Sequence, residues 1–268
     1  MRYFFMALLL FAGAFAPAAA AETACGGVDL IARMKKEEPE SYARLAAEAK
    51  QIPFGDARYF RIRKGDGPAS HIFGTMHVSD PRALAWVKQI EPVVLRSRRV
   101  ATENHEMDAE KPGLPLFKFF AMMVAKPDEL LSNYLKPDEI ERVANAAAPL
   151  LSLSPAAVTR LRPWILFLML SLSPCDMRRT ISEDFVDRII ERRAVAEGLP
   201  LHNLESVDDM IAALTAPAME TQIDLLRSAL NTLDMVEDMQ ETSLRMLDRG
   251  ETGLLFALAR DTSLPTLK

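Results

Sequence analysis

Apolar positions in the first part of the chain recur at helical spacing, with Leu30, Ile31 and Met34 followed by Tyr42, Leu45 and Ala46. This predicts helix over residues 28–50, interrupted near Pro39. The run Arg58-Tyr59-Phe60-Arg61-Ile62-Arg63 alternates polar and apolar residues, the pattern of a half-buried strand. Gly65-Asp66-Gly67-Pro68 is a turn signal, and Ser70 to Phe73 begins a returning strand, so residues 58–75 are expected to form a hairpin. Asp80 and Pro81 then stand as N-cap and first residue of a helix carrying Leu84, Val87, Ile90 and Val94. Residues 99–103 read as a short buried strand.

From Lys111 to about Ser173 the pattern is helical and punctuated by prolines, as in an inserted helical layer. Trp164 to Leu172 is apolar but for Ser171; at nine residues it cannot cross a bilayer and predicts a buried helix or a substrate-facing wall. Residues 182–197 form an amphipathic helix stopped by Gly198, and Leu199 to Leu204 is the next strand. Ser206 to Asp209 has capping-box spacing. Helix continues over Met219 to Leu247, with Ile223, Leu226, Leu230, Leu233 and Val236 on one face. The expected class is α/β: a small mixed sheet with a dominant helical layer and a helical insert over about residues 111–197.

Composition narrows this further. Half of the 268 residues are hydrophobic and a quarter charged, as in an ordinary globular chain, and only 11 glycines argue against a turn-rich β-sandwich. A net charge of −5 offers no basic footprint for nucleic acid. Met1-Arg2, the apolar run to Phe15, Pro17 with four alanines, and polar Glu22-Thr23 follow the order of a cleaved secretory signal over residues 1–21. The remaining residues 22–268 are expected to be one domain that is periplasmic or secreted, without a membrane span. Cys25 and Cys175 then meet an oxidising compartment, where they form an intramolecular disulfide, stay as two buried thiols, or link two chains. A bridge closing so long a loop would stabilise by roughly 5 kcal/mol at most.

Four histidines are present: His71, His77, His105 and His202. In Phe73-Gly74-Thr75-Met76-His77-Val78-Ser79-Asp80, a strand runs into a helix and His77 lies in the loop between, at the carboxyl end of a strand, where open α/β sheets place ligands. Glycine at 74 permits a tight turn or a close ligand approach. Glu103 ends the next strand. If the two strands are neighbours, an imidazole and a carboxylate face one cleft, where they ligate a divalent metal or where Glu103 acts as general base on water. His105 shares a face with Glu103 in extended chain and is an auxiliary candidate. Glu205 ends the following strand and either points into the same cleft or suits the N-terminus of the helix after it. A purely structural histidine and surface carboxylates are the competing account.

Taken in order, Cys25-Gly26-Gly27-Val28-Asp29-Leu30, Gly74 to Pro81, Glu103, Arg162-Pro163-Trp164, Pro174-Cys175 and Leu204-Glu205-Ser206 resemble the TraB/GumN family, the TIKI-like or pheromone-shutdown group. The resemblance runs from Cys25 to about Leu258. It implies an α/β core with two Gly-x-x-His motifs and an acidic residue forming a metal-dependent hydrolase or protease site. On that basis His77 is a metal ligand, Glu103 a ligand or catalytic base, and Glu205 an auxiliary catalytic acid. The cofactor would be Mn²⁺, Co²⁺ or Zn²⁺, and the substrate a peptide or a small molecule. The positions of Cys25 and Cys175 match secreted members and favour the bridge. One departure stands out: Gly74–His77 is the single Gly-x-x-His of the chain, which reads either as C-terminally truncated before a second motif or as a degenerate homologue. A strand missing there would leave a sheet edge open to oligomerisation. The expected function is a periplasmic metal-dependent hydrolase of peptidase type. The alternative is a non-catalytic module on the same fold that binds or sequesters a peptide, metal or haem.

Overall fold

The computed structural model describes residues 26–104, 113–151, 153–175 and 185–260. The sequence-predicted leader, Cys25, His105 and the last eight residues lie outside them.

Helix α1 (Leu30–Glu37) begins on Asp29, whose carboxylate accepts from the Ala32 amide at 3.0 Å. It gives way at Pro39 to α2 (Pro39–Ala49), because proline can start a helix and cannot continue one. Strands β1 (Tyr59–Ile62) and β2 (Ser70–Phe73) form the expected antiparallel hairpin, with Tyr59 opposite Phe73. Then come α3 (Pro81–Val94) and β3 (Val100–Thr102). Helices α4 (Leu114–Met123), α5 (Pro137–Leu151), α6 (Pro155–Val158) and α7 (Pro163–Leu170) follow in the proline-punctuated segment. The chain returns through α8 (Val186–Ala196) and β4 (Leu201–Asn203). It closes with α9 (Val207–Thr215), α10 (Met219–Asn231), α11 (Val236–Asp248) and α12 (Thr252–Arg260).

The fold is α/β with helix dominant. Its strands are divided, however, into two separate pairs: the β1–β2 hairpin and a parallel β3–β4 pair in register Val100 to Leu201. Strands β2 and β3 are therefore not hydrogen-bonded neighbours. Helix α8 packs on α3, β3 and β4. The long helix expected over 219–247 breaks at Thr232, where a short 3-10 turn over Leu233–Met235 separates α10 from α11. Leu233 is exposed as a result, while Ile223, Leu226 and Leu230 are buried.

Among the described residues, three apolar clusters hold these elements together. One lies within the proline-punctuated segment and α10 around Leu166, Leu170 and Leu226. A second joins α3, α8 and α11 around Trp86, Ile190 and Leu244. The third joins α1, α2, α11 and α12 around Ile31, Met246 and Leu258. Trp164, Ile165, Leu166 and Leu170 are buried, so the apolar run at 164–172 is core helix. No described helix is long and apolar enough to cross a membrane.

A polar clamp fixes the start of α3. Asp80 caps it, accepting from the Arg82 amide at 2.8 Å, and also accepts from the Arg82 guanidinium at 2.9 and 3.0 Å. The same guanidinium reaches Glu241 of α11 at 3.0 and 2.7 Å. Glu241 is buried and also receives Arg245. The Arg82 hydrogen bonds, outweighing burial, hold the Glu241 carboxyl below its ordinary 4.5. A depressed folded value means stabilisation that is present above the unfolded pKa and is lost as pH falls through the folded one. Glu241→Gln is thus expected to cost about 2 kcal/mol at pH 7. The difference from wild type should shrink as pH falls below 4.5. Urea unfolding at neutral and acid pH measures this; an equal difference at both would remove the ionised Glu241 from the account.

Candidate functional site

The loop between β2 and α3 carries the first candidate. Its base is tied down: the Gly74 amide donates to the Arg58 carbonyl at 2.7 Å, extending the hairpin ladder. A Cβ on Gly74 would meet Arg58 at 3.6 Å, an ordinary contact, and its φ is not positive. Neither a tight turn nor crowding by the protein therefore demands glycine there, so the tight-turn half of the sequence expectation is not met. Beyond it the Val78 amide closes a three-residue turn onto the Met76 carbonyl at 2.9 Å. Val78 and Ser79 are buried under this turn, which turns the intervening His77 outward. The His77 side chain is 49% exposed and lies against the Phe185 ring, centroids 4.8 Å apart.

Glu103 follows β3. Beyond the strands the parallel pairing continues through the Leu204 amide to the Thr102 carbonyl at 2.9 Å and the Glu205 amide to the Glu103 carbonyl at 3.1 Å. Strand β3 is pinned to α8 from below: the Thr102 hydroxyl donates to buried Glu191 at 2.8 Å, and Glu191 accepts from Arg188 at 3.1 Å. From this anchored strand end, Glu103 brings Oε2 to 3.6 Å from His77 Nε2. The expected meeting of His77 and Glu103 is thus observed, although it arises between a loop and a strand end of two different sheets.

A third group joins them that sequence reading did not single out. Asp187, in the first turn of α8, places Oδ2 at 3.6 Å from the same Nε2. Its Oδ1 accepts from the Thr75 hydroxyl at 3.0 Å, whereas Oδ2 is buried and, among the described residues, has no hydrogen-bond partner. A signal for it existed. In α8 the carboxylates Asp187 and Glu191 are one turn apart, and Glu191 falls among the buried positions Val186, Ile190 and Ala194. Acids on the core side of an amphipathic helix need a polar reason to be there.

The other candidates divide. Glu205 is exposed, and its backbone, as described above, adjoins that of Glu103. Among the described residues, the carboxylates within 4.0 Å of His77 Nε2 are Glu103 and Asp187. His71 lies on the hairpin, with Nδ1 at 2.6 Å from the Tyr59 hydroxyl, and His202 is exposed on β4. No described cysteine is free, and Cys175 takes a 3.3 Å hydrogen bond from its own amide to Glu237; Cys25, its expected partner, is outside the described residues, as is His105.

For one pair of donors the spacing is that of two ligands on a common cation. Ligand atoms around a tetrahedral ion with bonds of ~2.1 Å lie ~3.4 Å apart, close to the 3.6 Å between His77 Nε2 and Glu103 Oε2. Among the described residues no three His, Cys, Asp or Glu side chains already stand as a metal-holding group, so the arrangement is of two carboxylates sharing one imidazole and not a closed cage.

The sequence model of the TraB/PrgY/gumN family matches residues 59–267. No curated protein and no solved structure matches the chain. The match begins at the hairpin and takes in the His77 loop, Glu103, Asp187 and Glu205, well over half of the sequence. The chain therefore belongs to the TraB/PrgY/gumN family.

Proposed function

We propose that this protein is an exported, periplasmic metal-dependent hydrolase that cleaves a peptide bond or a related amide or ester. The observation carrying this reading is the approach of the Glu103 carboxylate to His77 Nε2 at 3.6 Å on the solvent-facing side of the fold. A bound divalent cation would supply Lewis acidity toward the scissile carbonyl and make water acidic at neutral pH. His77 and Glu103 are the residues that would hold it. Glu103 has the reach and the exposure to take a proton from water, since its side chain is 67% exposed. The Phe185 ring packs at a tilt against the imidazole, and Glu205, next to Glu103 in the chain pairing, serves as an auxiliary acid toward the leaving group. Family membership supports the site and leaves the substrate open.

Loading the purified protein with Mn²⁺, Co²⁺ or Zn²⁺ and presenting a peptide library tests the reading. Metal-stimulated cleavage that disappears in His77→Ala is expected. Absence of any metal-stimulated cleavage would leave the second reading, a module that binds or sequesters a peptide, metal or haem. The specific observation favouring that alternative is the open donor set, with a single imidazole among the described residues at the site.

The oxidising compartment carries its own consequence. Cys25 and Cys175 are proposed to form one intramolecular bridge. Intact-mass measurement after alkylation of the exported, unreduced protein should show no added label; two labelled thiols would refute the bridge.

A further inference from the structure

We infer that the open pocket between α2, the turn over residues 50–57 and α12 binds a free α-amino acid with an apolar side chain, a role independent of the hydrolase reading. The pocket has a volume of about 420 Å³, in the lower part of the range of small-molecule sites. Its wall is built by a locked turn. The Ile52 amide donates to the Ala49 carbonyl at 3.1 Å and the Gly55 amide to the Ile52 carbonyl at 3.2 Å. The turn is then pressed onto the start of α12. There the Gly253 amide donates to the Gly55 carbonyl at 2.6 Å, and a Cβ on Gly55 would stand 2.7 Å from Gly253 Cα. Between these fixed points Phe54 is held at φ +60°, in the left-handed region that a bulky side chain avoids. Asparagine or glycine would occupy that conformation at lower cost. Core burial does not offset the strain, because the Phe54 residue is 78% exposed and its ring meets Phe60 edge to face with centroids 6.4 Å apart. The strained aromatic instead lines the pocket, and strained residues of this kind cluster at ligand clamps.

The remaining lining selects the ligand. Ala46, Ala49 and Leu254 give an apolar surface suited to a branched or aromatic side chain. Three charged residues, Lys50, Asp56 and Glu251, complete the pocket. Glu251 is already engaged by the Arg249 guanidinium at 2.9 Å. One exposed cation, Lys50, and one exposed anion, Asp56, are left for a ligand. A compact apolar body carrying one carboxylate and one ammonium matches both, with Lys50 toward the carboxylate and Asp56 toward the ammonium. Phe54 supplies the aromatic face against which the apolar side chain packs.

Calorimetric titration of the full exported chain with L-leucine and L-phenylalanine tests the assignment. Wild type is expected to bind both. It should bind N-acetyl-leucine, which lacks the ammonium, and leucine amide, which lacks the carboxylate, at least ~10-fold more weakly. Lys50→Met should no longer separate leucine from leucine amide, and Asp56→Asn should no longer separate leucine from N-acetyl-leucine. Phe54→Asn should weaken L-phenylalanine by about 3–10-fold. The same variant should melt no lower than wild type, because asparagine tolerates the left-handed conformation. No binding of either amino acid by the wild type would overturn the proposal, as would equal binding of the uncharged N-acetyl-leucine amide. A lower melting temperature in Phe54→Asn with unchanged affinity would make the ring a packing group and overturn its place in the site.

Discussion

Glu103→Gln is expected to reduce metal-stimulated peptide hydrolysis by roughly 10²–10⁴-fold, the range for loss of a positioned acid–base group. Glutamine retains the volume and the hydrogen-bonding shape and loses both the charge and the proton-accepting oxygen. His77→Ala should lose at least as much, because it removes the nitrogen that both carboxylates approach at 3.6 Å. Neither change should unfold the protein. The His77 and Glu103 side chains are 49% and 67% exposed, and substitutions at such positions usually shift stability by no more than about 0.5 kcal/mol. Measuring kcat/KM and urea unfolding on the same preparations separates the two effects. Either variant hydrolysing at the wild-type rate would remove that residue from the chemistry.

Trp86→Ala is expected to be the most destabilising single change, at about 4 kcal/mol. Trp86 is 1% exposed in the cluster between α3, α8 and α11, so its deletion leaves a cavity among Ile90, Ile190 and Leu244. Two polar attachments go with it. The indole nitrogen donates to Asp248 at 2.9 Å, and the Arg58 guanidinium lies 3.7 Å over the ring. That stack lets Arg58 sit half-buried, where burial lowers its pKa. Arg58 in turn supplies the carbonyl that holds the Gly74 amide at the root of the His77 loop. Trp86→Phe keeps an aromatic face and loses the indole donor, which should cost about 1–2 kcal/mol. Urea unfolding gives both values, and hydrogen exchange at Gly74 should speed up in the alanine variant. Equal losses in the two variants would show that the hydrogen bond, not the volume, dominates.

The tests bear on different parts of the molecule. Glu241→Gln reports on the clamp that seats α3, Trp86→Ala on the core beneath the hairpin, and Glu103→Gln on the site. A site variant that disturbed the clamp would reveal itself by the acid-side behaviour of Glu241, whose carboxyl is held low chiefly by Arg82.

Much of the local structure was legible because it is written in nearest-neighbour chemistry. Asp80 and Pro81 announce the start of α3, and they are its cap and first residue. Ser206 and Asp209 announce a capping box, and both of its hydrogen bonds form. The alternation at 58–63 and the Gly-Pro turn announce the hairpin, and the structure adds its register. The error at Thr232 is of the same local kind: an apolar stripe continues through Leu233, but the helix breaks there and Leu233 turns to solvent. Periodicity alone does not record a change of helix axis.

The amino-acid order by itself determined the caps, the turns, the helix-dominant α/β class and the family, and it named His77 and Glu103 as candidates. Only the tertiary structure decided that β3 pairs in parallel with β4, about a hundred residues away, and not with β2. It also brought Asp187 against His77. The reason is physical: a cap or turn is satisfied within a few residues, so its partners are adjacent in the chain. Parallel pairing and the burial of an unpartnered carboxylate oxygen depend on segments that meet only when α3, α8 and α11 share one core.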